Sequence, residues 1–243
     1  MWRLIKAIVL GLLAVVCIWI VYAVVTFPRV AQLKTKNPET TSMIETRLEE
    51  ARQEGREPKR VQVWVPLERI SPHLQRAVLA GEDSNFASHD GFDYEAIQKA
   101  WDEAQREAAK EAKEEGEEES WMPSLNFKRG ASTITQQLSK NLYLSSERSL
   151  ARKAREAFIT YFLERTLSKR RILEIYLNVI EWGDGIYGAE AAAQTYFGKP
   201  AANLTPQEAA FLSAMIPNPR RVRRRQRVIL RGMQFVKLPP GTG

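Results

Sequence analysis

The sequence predicts a mainly α-helical protein, and three observations support that fold class. Apolar residues recur at three- and four-residue spacing through most of 145–178, as on the buried face of a helix. Helix starts are marked at 71–72 and 205–208, where a serine or threonine that can cap a helix precedes a proline at its first position. The alternation typical of a strand is clear in one short stretch, 61–65.

Composition narrows the functional class. The chain has 243 residues, of which 44% are hydrophobic and 27% charged, which favours one or two packed domains over disorder. A single cysteine, Cys17, excludes an intramolecular disulfide, and with two histidines a Cys/His zinc site is not expected. The net charge of +7 indicates an anionic partner: nucleic acid, anionic lipid or a phosphate-bearing substrate.

The N-terminal region predicts a membrane anchor. After a short segment at 1–6, residues 7–27 carry no charge, enough at about 1.5 Å per residue to span a hydrocarbon core of about 30 Å. A cleaved signal peptide and a buried core helix are the alternatives, but a signal peptide has a shorter apolar stretch that ends in small residues. We therefore predict a retained transmembrane helix. Basic residues flank it on both sides, so the positive-inside rule leaves its orientation open.

The elements that follow are predicted in order. Residues 28–60 are polar and contain prolines, which indicates a stalk with some helix near 43–52. A helix from Pro72 to about Gly81 comes after the short strand. The long helical stretch breaks near Ser168 into two helices, and a capping box begins another helix at Thr205.

Two segments have extreme charge. Residues 102–119 hold nine acidic and three basic residues, and their like-charged i,i+4 pairs predict marginal helicity. This segment is either a solvated helix extension or loop, or a mobile acidic flap. The stretch after Pro219 carries seven arginines and Lys237 without an acid. It suits anionic lipid head groups near an anchored chain, while nucleic acid binding and a solvated tail are the alternatives.

The first motif lies at 81–93. Glu82 and Asp83 stand where the predicted helix ends, so the helix dipole and their mutual repulsion should raise a carboxyl pKa and favour a general base. Such a pair is usually just solvated. The spacing to Phe86 and His89 favours a functional interpretation.

The second and third motifs offer groups that bind oxygen anions. The hydroxyls, amides and lysine of the second suit phosphate and sugar oxygens, and a helix starting at Ser132 would add an anion site, although an ordinary helix start is the alternative. The second motif comprises Ser132, Thr133, Gln136, Gln137, Lys140 and Asn141. In the third, Arg148, Arg152 and Glu156 share one helix face beside Lys153, and this row is either a diphosphate site or an exposed ion-pair stripe.

These motifs, with a packing helix at 169–178, resemble the peptidoglycan glycosyltransferases. They match in order the family patterns EDxxFxxHxG, GxSTITQQ, RKxxE and KxxILxxYxN, and 181–199 and 217–219 are also similar. The resemblance covers about 62–230 and predicts a glycosyltransferase domain at 61–230 with a tail at 231–243. It is greatest to the monofunctional enzymes, because the 24 residues after Pro219 are too few for a transpeptidase domain.

The resemblance implies a lysozyme-like fold with a smaller membrane-proximal lobe, and an activity in cell wall biosynthesis. Members polymerise lipid II into β-1,4-linked glycan strands on the outer face of the bacterial cytoplasmic membrane. The N-terminus would then be cytoplasmic and the catalytic domain periplasmic. Lipid II, the nascent strand, the bilayer and other cell wall synthesis proteins are the expected partners, and nucleic acid is not.

The resemblance also implies a role for each residue. Glu82 would be the general base that deprotonates the acceptor 4-hydroxyl in an inverting displacement of polyprenyl diphosphate. Glu156 would be the second catalytic carboxylate, acting through a metal ion, Mg²⁺ or Mn²⁺, or through the cations beside it. The diphosphate cations would be Lys140, Arg148, Arg152 and Lys153. The remaining substrate-site positions would be Asp83, Phe86, His89, Ser132, Thr133, Gln136, Gln137 and Asn141.

Two other functions remain as alternatives. A lysozyme-like hydrolase could use two carboxylates, but it would not need the cations between Lys140 and Lys153. A non-catalytic membrane scaffold would not need both glutamates.

Overall fold

The computed structural model describes residues 2, 6, 10, 11, 28–115, 132–144, 149–216 and 228–241. Across these residues, no helix combines the length and the apolar character that crossing a bilayer requires. The predicted membrane span at 7–27 lies, apart from Leu10 and Gly11, outside the described residues and stays a prediction.

Helices dominate the described chain, as the sequence predicts. The α-helices are α1 (Ser42–Gln53), α2 (Pro72–Glu82), α3 (Tyr94–Glu115), α4 (Ile134–Tyr143), α5 (Leu150–Thr166), α6 (Lys169–Val179), α7 (Ala189–Phe197) and α8 (Pro206–Met215). Short 3-10 helices lie at Val30–Lys34, Leu67–Arg69 and Ala201–Asn203, and a further helical segment lies at 228–232.

The capping signals operate as predicted. The Ser71 hydroxyl accepts from the backbone N–H of His73, with Pro72 at the first helical position of α2. Thr205 and Glu208 form a reciprocal capping box at the start of α8. Ser168 caps α6, so the predicted break between the two helices is confirmed.

A small three-stranded sheet joins the segment before α2 to the segment after α6. Its strands are β1 (Val61–Gln62), β2 (Glu181–Gly183) and β3 (Ile186–Tyr187), in the order β1-β3-β2, with β1 parallel and β2 antiparallel to β3. The strand predicted at 61–65 is therefore only two residues long. Beyond it, the buried Asn178 side chain holds Val65, donating to its carbonyl at 2.9 Å and accepting from its N–H at 2.9 Å.

The acidic segment is helical at its start. Helix α3 runs through Glu115, further than the like-charged pairs of 102–119 predict, and 116–119 lie outside the described residues. Helix α1, which the sequence places within the stalk, packs against α4 through the buried Ile44.

The C-terminal end of α2 is fixed by close packing against α8. A Cβ on Gly81 would lie 2.8 Å from the Ser213 hydroxyl oxygen and 3.2 Å from the Ile229 side chain. The Ser213 hydroxyl in turn donates to the Ala77 carbonyl at 2.8 Å. Glu82, the last residue of α2, is thereby held in a defined position.

Candidate active site

The first two motifs meet where α2 ends and α4 begins. The buried Asp83 carboxylate accepts a hydrogen bond from the Ile134 backbone N–H at 2.9 Å, which joins the two helix ends. His89 Nε2 lies 2.9 Å from Asp83 Oδ1, while His89 Nδ1 accepts from the Gly91 N–H at 3.1 Å. Since Nδ1 is an acceptor, Nε2 carries the proton and donates to Asp83.

The Phe86 ring packs against the His89 imidazole. The phenyl ring is 0% exposed, meets the His89 imidazole edge-on at a centroid distance of 6.3 Å, and lies 4.4 Å from Lys169 Nζ. Asp83, Phe86 and His89 therefore act as supports of the first motif, and Phe86 offers no surface to a ligand.

Glu82 faces a cleft of about 210 Å³ between these helix ends. The Glu82 carboxylate Oε2 accepts from Gln137 Nε2 at 2.9 Å, and the Tyr176 hydroxyl donates to Gln137 Oε1 at 2.8 Å. The cleft lining comprises Ala80, Gly81, Glu82, Asp83, Ser84, Asp93, Ala96, Ser132 and Thr133.

Several polar groups of the second motif are used to start α4. Thr133 and Gln136 form a capping box, and the Thr133 hydroxyl also donates to the Gly91 carbonyl at 2.7 Å. Together with Asp83, these bonds engage the first N–H groups of α4. An anion site at this helix start, which the sequence suggested, would have to displace them.

The rest of the second motif faces outward to differing degrees. Ser132 is exposed, and Gln137, Lys140 and Asn141 are half-buried. Asn141 Nδ2 donates to the Gln137 carbonyl at 2.8 Å, which orients its amide along α4.

The third motif is an ion-pair cluster around a buried carboxylate, in which Arg152 is half-buried and Lys153 is exposed. Glu156 is 3% exposed; its Oε2 lies 2.7 Å from Arg152 Nη1 and its Oε1 pairs with Lys153 Nζ. Arg152 Nε is buried without a hydrogen-bond partner within the described chain. Arg148 lies outside the described residues.

Lys140 connects the cluster with Glu82. Burial lowers the pKa of its ammonium group, the charges of Arg152 and Lys153 lower it further, and those of Glu156 and Glu82 oppose the shift. One half-buried cation thus interacts with the carboxylate in the cleft and with the cluster on α5.

The arrangement does not fit a metal ion held by Glu156, because each of its oxygens already faces a cation. Among the described residues, Asp83, His89 and Asp93 bring their possible ligand atoms within 4.8 Å of one another. These three are instead engaged in hydrogen bonds, Asp93 with the Asn85 amide at 2.9 Å.

Tyr176 is the residue that the sequence did not single out. The apolar spacing of α6 predicts that it packs in the core, and it is indeed 0% exposed, yet its hydroxyl reaches the amide that contacts Glu82. The available signal was its place in the KxxILxxYxN pattern.

In chemical terms, the site offers a carboxylate positioned by an amide and, on α5, an arginine and a lysine paired with the buried Glu156. A carboxylate in a cleft can accept a proton from a hydroxyl, and clustered arginine and lysine side chains can bind a diphosphate. This combination suits transfer from a diphosphate-linked donor to a hydroxyl acceptor.

Comparisons with known proteins agree with this chemistry. The family described as Transglycosylase matches residues 48–235. Among the most similar relatives are proteins named biosynthetic peptidoglycan transglycosylase from Azoarcus sp. (strain BH72), 44% identical over 92% of this chain and 88% of the relative, and from Laribacter hongkongensis, 40% identical over 97% and 100%. Another, from Aromatoleum aromaticum, is 45% identical over 86% of this chain and 84% of its own length. The chain belongs to the transglycosylase family.

Proposed function

We propose that this protein is a peptidoglycan glycosyltransferase that polymerises lipid II into β-1,4-linked glycan strands during cell wall synthesis. The observation that carries the proposal is that Glu82 in the cleft accepts from Gln137 Nε2 of α4 at 2.9 Å, while α4 packs against α5, which bears the Arg152–Glu156 pair. The base at the end of α2 and the diphosphate site on α5 are thereby both held against α4.

Glu82 takes the proton in the reaction. The acceptor 4-hydroxyl oxygen bonds to the donor anomeric carbon while its proton passes to the Glu82 carboxylate. The bond from that carbon to the diphosphate oxygen breaks in the same step, and the leaving oxygen keeps the electron pair. Attack opposite the leaving group converts the α-linked donor into a β-linked product.

The α5 cluster receives the diphosphate. Arg152 presents a buried Nε without a hydrogen-bond partner in the described chain, and charge-assisted bonds from such donors stabilise the charge that develops on a leaving diphosphate. Glu156 holds the Arg152 and Lys153 side chains in place through its two oxygens. A divalent ion bound by the diphosphate itself would add further charge neutralisation.

The membrane location belongs to the same proposal. The uncharged stretch at 7–27 would anchor the chain beside the polyprenyl tail of its substrate, with the N-terminus in the cytoplasm and a lysozyme-like domain on the periplasmic face. The smaller lobe would then lie against the bilayer.

Labelled lipid II tests the function directly. The full chain in detergent with Mg²⁺ should produce glycan strands that a muramidase degrades, with one polyprenyl diphosphate released for each bond formed. Soluble fragments from purified cell wall without strand synthesis would indicate a hydrolase. Lipid II binding without turnover would indicate a scaffold.

Binding of lipid II should weaken at alkaline pH. Only the protonated Lys140 attracts the diphosphate, and burial lowers its pKa, so affinity should fall about 10- to 100-fold as the pH rises through that lowered value. Lys140→Arg should move this fall to higher pH, because a guanidinium stays charged up to about pH 12.

The affinity of fluorescent lipid II, measured from pH 7 to 11 on a Glu82→Gln background that does not consume it, checks this. Lys199→Arg is the matched control, since Lys199 pairs with Glu208 on α8. An identical alkaline midpoint in the Lys140→Arg protein would contradict the role of Lys140.

A further inference from the structure

Tyr176 is buried in the core, yet it is hydrogen-bonded to the group that contacts the base. It lies on α6 between the buried Ile175 and Leu177, and its own exposure is 0%. Its hydroxyl donates to Gln137 Oε1 at 2.8 Å, and Gln137 Nε2 donates to Glu82 Oε2 at 2.9 Å. No part of Tyr176 can touch a substrate in the cleft.

We propose that Tyr176 is a positioning residue for the transfer reaction, acting through the Gln137 amide to hold and stabilise the Glu82 carboxylate. The inference rests on the proposed function, in which Glu82 is the base. It assigns to a core tyrosine a role that its burial would otherwise explain as packing.

The two hydrogen bonds run in the same direction. Both donors point toward Glu82: the tyrosine O–H toward the amide oxygen, and the amide N–H toward the carboxylate. Hydrogen bonds arranged head to tail polarise one another, so the tyrosine donor strengthens the bond that the amide gives to the carboxylate. These two hydrogen bonds therefore favour the ionised form of Glu82, which is the form that accepts a proton.

The Tyr176 hydroxyl also orients the Gln137 side-chain amide. The Gln137 backbone is fixed one turn into α4, where its N–H donates to the Thr133 carbonyl at 2.9 Å, so only the side-chain amide remains to be oriented. Its second amide hydrogen reaches the Ser132 carbonyl with a long contact of 3.4 Å. Without the Tyr176 hydroxyl, the amide oxygen would lose this donor, and the amide could rotate away from Glu82.

Other charges around Glu82 are unaffected by removing the hydroxyl. Among the described residues, they include Asp83 next to it, Asp93 across the cleft, and Lys140 on α4 with Arg152, Lys153 and Glu156 of α5 beyond it. Ser213, the α8 residue that packs against Gly81, is uncharged. A change in the titration of Glu82 in a Tyr176→Phe protein therefore reports the lost hydroxyl.

The test is the pH dependence of lipid II polymerisation by the full chain in detergent. Tyr176→Phe should move the acid limb of kcat/KM up by about one pH unit, a tenfold loss on the acid side, and leave lipid II affinity unchanged. The matched control is Tyr196→Phe, which removes a hydroxyl that donates to the Trp182 carbonyl at 3.1 Å. The Tyr196→Phe protein should show the same acid limb of kcat/KM as the unchanged protein.

A double-variant experiment separates positioning from packing. If Tyr176 acts through Gln137, then Tyr176→Phe should not shift the limb further in a Gln137→Ala protein. A Tyr176→Phe protein that loses rate equally at all pH values, or an additive shift in the double variant, would overturn the proposal.

Failure of the proposed function gives a different result. If the unchanged chain makes no strands, the function is wrong, and the hydrogen-bond chain is then tested by the Glu82 carboxyl pKa. This is read by ¹³C NMR of glutamate-labelled protein, with the signal assigned by its loss in Glu82→Gln. A Glu82 pKa that does not rise in Tyr176→Phe contradicts the role of Tyr176 whether or not the chain turns over.

Discussion

Glu82→Gln is expected to reduce the rate of glycan polymerisation by about 10²–10⁴-fold, the contribution typical of a general base. A glutamine side chain has nearly the same shape, and its oxygen can still accept the hydrogen bond from Gln137 Nε2. It cannot take the proton of the acceptor hydroxyl. The thermal unfolding temperature and lipid II affinity should therefore stay close to those of the unchanged protein.

Initial rates with labelled lipid II, measured beside the unfolding temperature, check this result. Glu190→Gln is a suitable control, because the Glu190 carboxylate also accepts a hydrogen bond, from the Ala201 N–H at 2.8 Å, but lies outside the cleft lining. If Glu82→Gln retained activity within a few-fold of the control, another group would have to be the base.

Glu156→Gln should reduce both stability and turnover. Removing one partner of a buried ion pair leaves the other charge uncompensated, at a cost of about 3–5 kcal/mol when both are buried. The Lys153 side chain is 48% exposed, so solvent screens its share, and we expect a loss of about 2–3 kcal/mol. Turnover should fall by about 10²-fold as Arg152 loses its orientation toward the diphosphate.

Unfolding curves and lipid II turnover at several Mg²⁺ concentrations distinguish the two possible roles of Glu156. An ion-pair role predicts that added Mg²⁺ or Mn²⁺ does not restore activity. Glu164→Gln is the matched control: Glu164 pairs with Lys169 at 2.8 Å with a side chain 7% exposed, so it should lose comparable stability but keep the activity of the folded protein. Recovery of Glu156→Gln by metal would contradict the ion-pair interpretation.

Local signals predicted the helices well because capping and helical spacing depend on residues close together in the chain. Ser71, Ser168 and Thr205 cap helices as expected. The β2–β3 hairpin was not predicted, since strands of three and two residues are too short for any periodicity and depend on Gly185 adopting a φ of +68°.

The residues of the candidate site were predicted more completely than their spatial arrangement. The motifs identified Glu82, Gln137 and Glu156, but the sequence left open whether the charges on α5 are exposed or buried. Burial of Glu156 depends on α4 packing against α5, a contact that local pattern does not encode. The bond from Ile134 to Asp83 joins residues 51 positions apart and was equally invisible.

The opposed charges of the cleft and of α5 define what an effective inhibitor should look like. The cleft wall carries Glu82, Asp83 and Asp93, whereas Lys140 on α4 and Arg152 on α5 are cationic. A compound with a single sign of charge would satisfy one end and be repelled by the other. A zwitterion, with an amine for the acceptor end and a diphosphate mimic for the donor end, would match both, and its two charges would fix the direction in which it binds.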